Sequence, residues 1–167
     1  DMEKAMREKG VRLFSLENRV FLQSFDLIGF SLQHELLYTN VLNMLDLSGL
    51  EAEAAKRSGR DPVICAGGPA VFNPAPMSPF MDFMLIGDGE EAIIPVLERL
   101  SGFRAGKTSK KKFLDEISGM DGIYIPSRYK YYYSASGQID RIEPAAKVKK
   151  ATVADLDSHD IVTRPVI

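Results

Sequence analysis

The chain has a single cysteine, Cys65, among 167 residues, which excludes an internal disulfide and any all-cysteine metal cluster carried by this chain alone. Such sparing use of cysteine fits a reducing cytoplasm. Long apolar runs are missing too. Nothing approaches the roughly 18 residues needed to cross a bilayer, and no signal peptide opens the chain, so no membrane partner is expected. Charge of one sign is scarce: the formal net charge of −2 gives no global attraction for nucleic acid or anionic lipid, and any basic surface must be local. There is no G-x-x-x-x-G-K-[ST] phosphate loop, so nucleotide hydrolysis is not expected. No Ser-His-Asp or Cys-His set can be argued from spacing, and there are no internal repeats.

What is present suits one α/β domain with an appendage. Hydrophobic residues make up 45% of the chain, enough for a packed core, and charged residues 26%. Residues 1–9 are charged and helix-permissive, with Gly10 placed as a C-terminal stop. Residues 11–16 (VRLFSL) read as a short strand. Residues 25–32 (FDLIGFSL) form a nearly continuous apolar run, as expected of a strand buried on both faces of a parallel sheet. A helix is expected over 34–47, then an alanine-rich helix over 51–58. Strands are expected at 62–66 (PVICA) and 82–86 (DFMLI), and a helix over 90–100 with Pro95 either kinking it or starting it. Residues 106–112 (GKTSKKK) read as a basic linker into a short helix at 113–117. Residues 122–143 read as antiparallel strand and hairpin. Residues 145–167 lack a strong period and are expected to run over the surface as a linker. Asp1 opens the chain and Arg164-Pro165-Val166-Ile167 closes it without a stop signal, so both ends read as cut.

Alternating strands and helices place all parallel-strand carboxyl ends on one edge, where such folds bind ligands. Three polar or glycine-rich turns fall there: 31–34, 67–69 and 87–91. Gly67-Gly68-Pro69 either lets a flat ligand approach the backbone or makes a tight strand exit. Ser31 either caps the next helix or offers a hydroxyl to a ligand. His34 lacks a second ligand at metal spacing and reads as a polar helix start. Gly87-Asp88-Gly89-Glu90-Glu91 resembles a phosphate loop, but its acids suit the helix macrodipole and would repel phosphate. Lys107, Lys110, Lys111 and Lys112, with Tyr129, Tyr131 and Tyr133, form a basic and aromatic set that could bind RNA or simply be a solvated linker and hairpin.

The run Phe25-Asp26-Leu27-Ile28-Gly29-Phe30-Ser31-Leu32-Gln33 and its continuation His34 to Asp46 are distinctive, as are Ala66-Gly67-Gly68-Pro69-Ala70-Val71-Phe72-Asn73-Pro74 and Ile86-Gly87-Asp88-Gly89-Glu90-Glu91. Together they resemble the N-terminal, cobalamin-binding-like domain of a bacterial family of radical S-adenosylmethionine (SAM) proteins, strongly over 1–100 and more loosely beyond. The resemblance implies a Rossmann-like (flavodoxin-like) parallel sheet whose first strand lies before Asp1, leaving an open gap, with a C-terminal β-hairpin appendage. It implies that Ser31, Leu32, Gly67, Gly68 and Pro69, with Gly87 and Gly89 on the neighbouring loop, line a slot for the nucleotide tail of cobalamin. It places SAM and a [4Fe-4S] cluster on a following radical domain, through a C-x-x-x-C-x-x-C motif absent here. The expected organisation is a domain over 1–105, a linker, helix and hairpin over 106–144, and a linker over 145–167 toward that radical domain. The expected function is an accessory cofactor-binding or scaffolding domain without catalysis of its own, the alternative being an RNA-recognition module. A dimer or domain swap is expected of the open sheet.

Overall fold

In a computed structural model describing residues 2–145 and 147–158, the apolar runs pair directly with one another. β1 (Leu27–Ser31), β2 (Val63–Gly67) and β3 (Phe83–Leu85) are parallel, and β4 (Ile123–Tyr124) adds antiparallel to β3, in the order β1-β2-β3-β4. The register sets Leu27 opposite Val63 and Ser31 opposite Gly67, then Cys65 opposite Phe83 and Leu85 opposite Ile123. The sheet is continuous. No gap opens within it, and among the described residues its two edge strands are β1 and β4.

Alternation along each strand explains why the runs carry no polar face. Ile64, Ala66, Met84 and Tyr124 point to one side, into a core shared with Val41 and Leu45 of α2 (Tyr38–Leu47). Val63, Cys65, Phe83, Leu85 and Ile123 point to the other side. There they meet Val96, Leu100 and Phe103 of α3 (Gly89–Arg104), with Phe113 and Ile117 of α4 (Lys110–Ile117). Both helices present their apolar residues at three- and four-residue spacing, as a helix packed on a sheet must. The Phe103 and Phe113 rings stack at 5.8 Å, joining α3 to α4. The result is a three-layer α/β arrangement with helices on both faces.

The ends of these elements follow local chemistry. α1 (Met2–Lys9) stops at Gly10, whose φ of +63° is open to glycine, and Arg7 ties it to Asp46 and Asn43 of α2. Ser109 accepts a hydrogen bond from the Lys112 amide and caps α4, which therefore begins three residues before the expected 113–117. α3 starts at Gly89 and continues through Pro95 to Arg104. Arg104 then donates to the carbonyls of Asp26, Gly59 and Asp61, pinning the helix end to the amino edge of the sheet.

Three expected segments differ. Residues 11–16 are not a strand: Phe14 makes a lone bridge to Phe21, and the Leu13 amide is taken by Leu47 of α2 rather than by a neighbouring strand. Residues 51–58 hold only a three-residue 3-10 turn, Ala54–Lys56, because Arg57 leaves it in an extended conformation to reach its partners. Residues 34–47 begin with a 3-10 turn, Glu35–Leu37, before α2. The hairpin is present as β5 (Lys130–Tyr133) and β6 (Ile139–Glu143), with an irregularity between Tyr132 and Tyr133.

Of the stretch read as a linker, 145–167, residues 145 and 147–158 are described; Ala146 and residues 159–167 lie outside the described residues. Its first part does not run free. Lys149 accepts from the Gly122 amide at 2.7 Å, and Ala151 bridges Gly87, donating to Ile86 at 3.0 Å and accepting from Asp88 at 3.1 Å. Ala151 and Val153 are buried.

Candidate functional site

At the carboxyl edge, the expected ligand residues are gathered but not open. Ser31 ends β1 in an exposed position, and the next helical turn takes His34, not Ser31, as its N-cap residue. Leu32 is buried, its amide donating to Gly67 and its carbonyl accepting from Ala70. Gly68 has φ +96°, and a Cβ built there would lie 2.8 Å from the Leu32 carbonyl oxygen. A Cβ at Gly87, φ +110°, would run into the Ala151 carbonyl oxygen. Pro69 opens a short 3-10 turn and Gly89 is the first residue of α3. The room left at Gly68 and Gly87 is taken up by the chain's own backbone. A hollow of about 260 Å³ does lie at this edge, but Asp88, Glu91 and Asp121 line it, which disfavours a phosphate-bearing tail. The residues present fit cobalamin poorly at two of these positions: its tail would have to displace Leu32 to reach Gly68 and residues 150–151 to reach Gly87.

The larger cavity, about 670 Å³, lies at the opposite, amino edge. It is set between α4 on one face of the sheet and the base of the hairpin on the other. Its floor is an ionic knot. Asp82, immediately before β3, accepts from the Ile64 amide at 2.8 Å and from Arg57 Nη2 at 3.2 Å through Oδ2, while Lys110 Nζ lies 2.8 Å from its Oδ1. Arg57 is fully buried and also donates to the carbonyls of Glu51, Ala52 and Phe80. A buried guanidinium requires this many acceptors, because removing it from water without them costs several kcal/mol. The arginine therefore staples loop 51–57 to the sheet.

A tyrosine group closes the other side. Tyr124 and Tyr131 share a hydrogen bond of 2.5 Å between their hydroxyls, Ser78 Oγ lies 3.4 Å from the Tyr124 oxygen, and the Tyr129 ring stacks on Tyr124 at 4.5 Å. Burial pushes the Tyr124 phenol above its ordinary value; the hydrogen bond with Ser78 works against the rise and the one with Tyr131 adds to it, so the phenol stays neutral.

The basic and aromatic set read from the sequence is thus divided. Lys110, Lys111, Tyr129 and Tyr131 line one cavity, whereas Lys107, Lys112 and Tyr133 do not. Arg57, Ser78 and Asp82 were missed. Asp82, a carboxylate directly abutting a buried strand, was the one signal available. Cys65 lies within β2, buried, its thiol pushed up to about 12 by burial and then by nearby Asp82. It should resist an aromatic disulfide reagent at pH 8 and react at once in urea; a fast native reaction would contradict this burial. Ionisation of this thiol opposes folding, so its contribution is intact below the ordinary thiol value and is lost as pH rises toward about 12. Among the described residues, no group of three or more His, Cys, Asp or Glu could hold a metal ion, and no helix is long and apolar enough to cross a membrane.

Compared with known families, residues 1–126 match the one described as radical SAM proteins, N-terminal. The chain belongs to this family. No curated protein and no solved structure matches it. As a radical SAM N-terminal domain it is an accessory domain of a radical SAM protein.

Proposed function

We propose that this radical SAM N-terminal domain is an accessory ligand-binding domain that works from the amino edge of its sheet, holding a small molecule for chemistry carried out by the radical-bearing part of the parent protein. The observation that carries the reading is the cavity of about 670 Å³, within the range of small-molecule sites. Apolar walls from Met81, Leu114 and Ile125 surround a few fixed polar groups, the composition of a site that orients a ligand. In this reading the domain contributes binding and position, while SAM and the cluster belong to the radical domain. A corrinoid at the carboxyl edge is the weaker alternative, for the reasons of space and charge given above.

A thermal-shift panel tests it, using small acids, amines, neutral aromatics and hydroxocobalamin on the chain and on Ala54→Trp, which places bulk at the cavity wall. Ligand binding to the folded state alone raises Tm by mass action. At least one small-molecule class should raise Tm of the native chain and not of Ala54→Trp, with hydroxocobalamin inert. A shift by hydroxocobalamin alone, or equal shifts in both proteins, would overturn the reading.

A further inference from the structure

The charges around the amino-edge cavity are unequal, although the whole chain is slightly acidic. Four cations line it, Arg57, Lys110, Lys111 and Arg128, against two carboxylates, Asp82 and Asp115, an excess of two positive charges (4 − 2) in a chain whose net charge is −2. Their duties differ. Arg57 is committed through both Nη atoms to three backbone carbonyls and Asp82, with its Nε left without a hydrogen-bond partner, and Arg128 sits 3.8 Å from Asp115. Lys110 is another case. Its Nζ is buried and at ion-pair distance from Asp82 Oδ1, yet it makes no aligned hydrogen bond with any described residue. An ammonium has three N–H donors, and leaving them unmet away from water is costly. Asp82 Oδ2 is already shared by Arg57 and the Ile64 amide, so the knot holds two cations to one anion.

The rest of the cavity bears on the ligand's body. Tyr129 has one face covered by Tyr124, and Pro79, Met81, Leu114 and Ile125 supply apolar wall. Such surfaces favour a flat, weakly polar group. A nucleic-acid strand fits less well, because the basic and aromatic residues that would track a backbone beyond the cavity, Lys107, Lys112 and Tyr133, do not line it.

We propose that the cavity binds a planar organic anion, its carboxylate or phosphate accepting hydrogen bonds from Lys110 with Lys111 at the rim, and its ring lying against Tyr129. This rests on the reading of the cavity as a ligand site and names the chemical class that site takes.

Calorimetric titration with three shape-matched probes, 2-naphthoate, 2-naphthamide and 2-naphthylmethylamine, tests it without any substitution. Naphthoate should bind at least tenfold more tightly than the amide, the amine weakest, and added salt should weaken the acid alone. In Lys110→Met, which keeps most of the apolar stem, the acid should lose its advantage while the amide is unchanged. Lys111→Ala, at an exposed position, should reduce the preference by a smaller factor and guards against misfolding of the first variant. Equal binding of acid and amide, or a preference that persists in Lys110→Met, would overturn the anion claim and leave the cavity as a neutral-ligand site. Absence of all binding overturns the anion claim too, and the panel with Ala54→Trp then decides the broader reading. Displacement of naphthoate by a tighter-binding single-stranded RNA oligomer would overturn the small-molecule occupant. Phenyl phosphate against benzoate separates the two anion types.

Discussion

Gly68→Ala should lower stability by about 3 kcal/mol or more, measured as a shift in the urea midpoint at unchanged slope. Two costs add. The backbone at Gly68 has φ +96°, a region that L side chains rarely adopt, which alone is worth about 1–3 kcal/mol. The new Cβ would also sit 2.8 Å from the Leu32 carbonyl oxygen and 3.1 Å from its amide nitrogen, so backbone just past β1 and not a pliable side chain must move. That backbone is held in place, since Leu32 bonds Gly67 and Ala70 and its side chain is buried. Gly106→Ala is the matched control. It has φ +73° but no heavy atom within 4 Å of the added carbon, so only the backbone cost of about 1 kcal/mol is expected. Equal losses at the two positions would show that crowding against Leu32 is unimportant.

Asp82→Leu should cost about 3–5 kcal/mol, because it leaves Arg57 and Lys110 facing each other without their shared anion. The Ile64 amide loses its acceptor in the same change. Adding Lys110→Met to Asp82→Leu should recover part of the loss, since one of the two stranded cations is removed. Arg57→Met should not recover in the same way, because three carbonyls then lose their donor. Unfolding midpoints for the two singles and the double give the coupling directly. Strict additivity of Asp82→Leu and Lys110→Met would sink the idea of a shared knot.

How far all this was legible depends on whether the physics was local. Residues 63–67 and 83–85 announced themselves because a strand covered on both faces needs apolar residues at every position, and the sequence satisfies that without help from afar. Residues 11–16 have the same look but no neighbouring strand, and Leu13 bonds a helix end instead. The alanines at 54 and 55 favour helix, yet Arg57 must leave extended to reach carbonyls on both sides of it, and that tertiary demand outweighs propensity. At the site, Gly68 gives the same signal in sequence whether a ligand or Leu32 fills the space above it, because Leu32 reaches that position through tertiary packing that no local pattern records. The amino-edge cavity draws on residues as distant as Arg57, Ser78, Lys110 and Tyr131, and no period or motif links such positions.

The return of Lys149 and Ala151 to the sheet has a consequence for how such a domain diversifies. The chain departs after Tyr124 and comes back beside Gly122, so everything between is an excursion with both feet planted. Doubling the length of such a tethered stretch costs only about 0.6 kcal/mol in closure entropy. The excursion nevertheless supplies Tyr129 and Tyr131 to the cavity wall. Selectivity can therefore drift through insertions and deletions there, while the four strands go on making unchanged demands on their own residues.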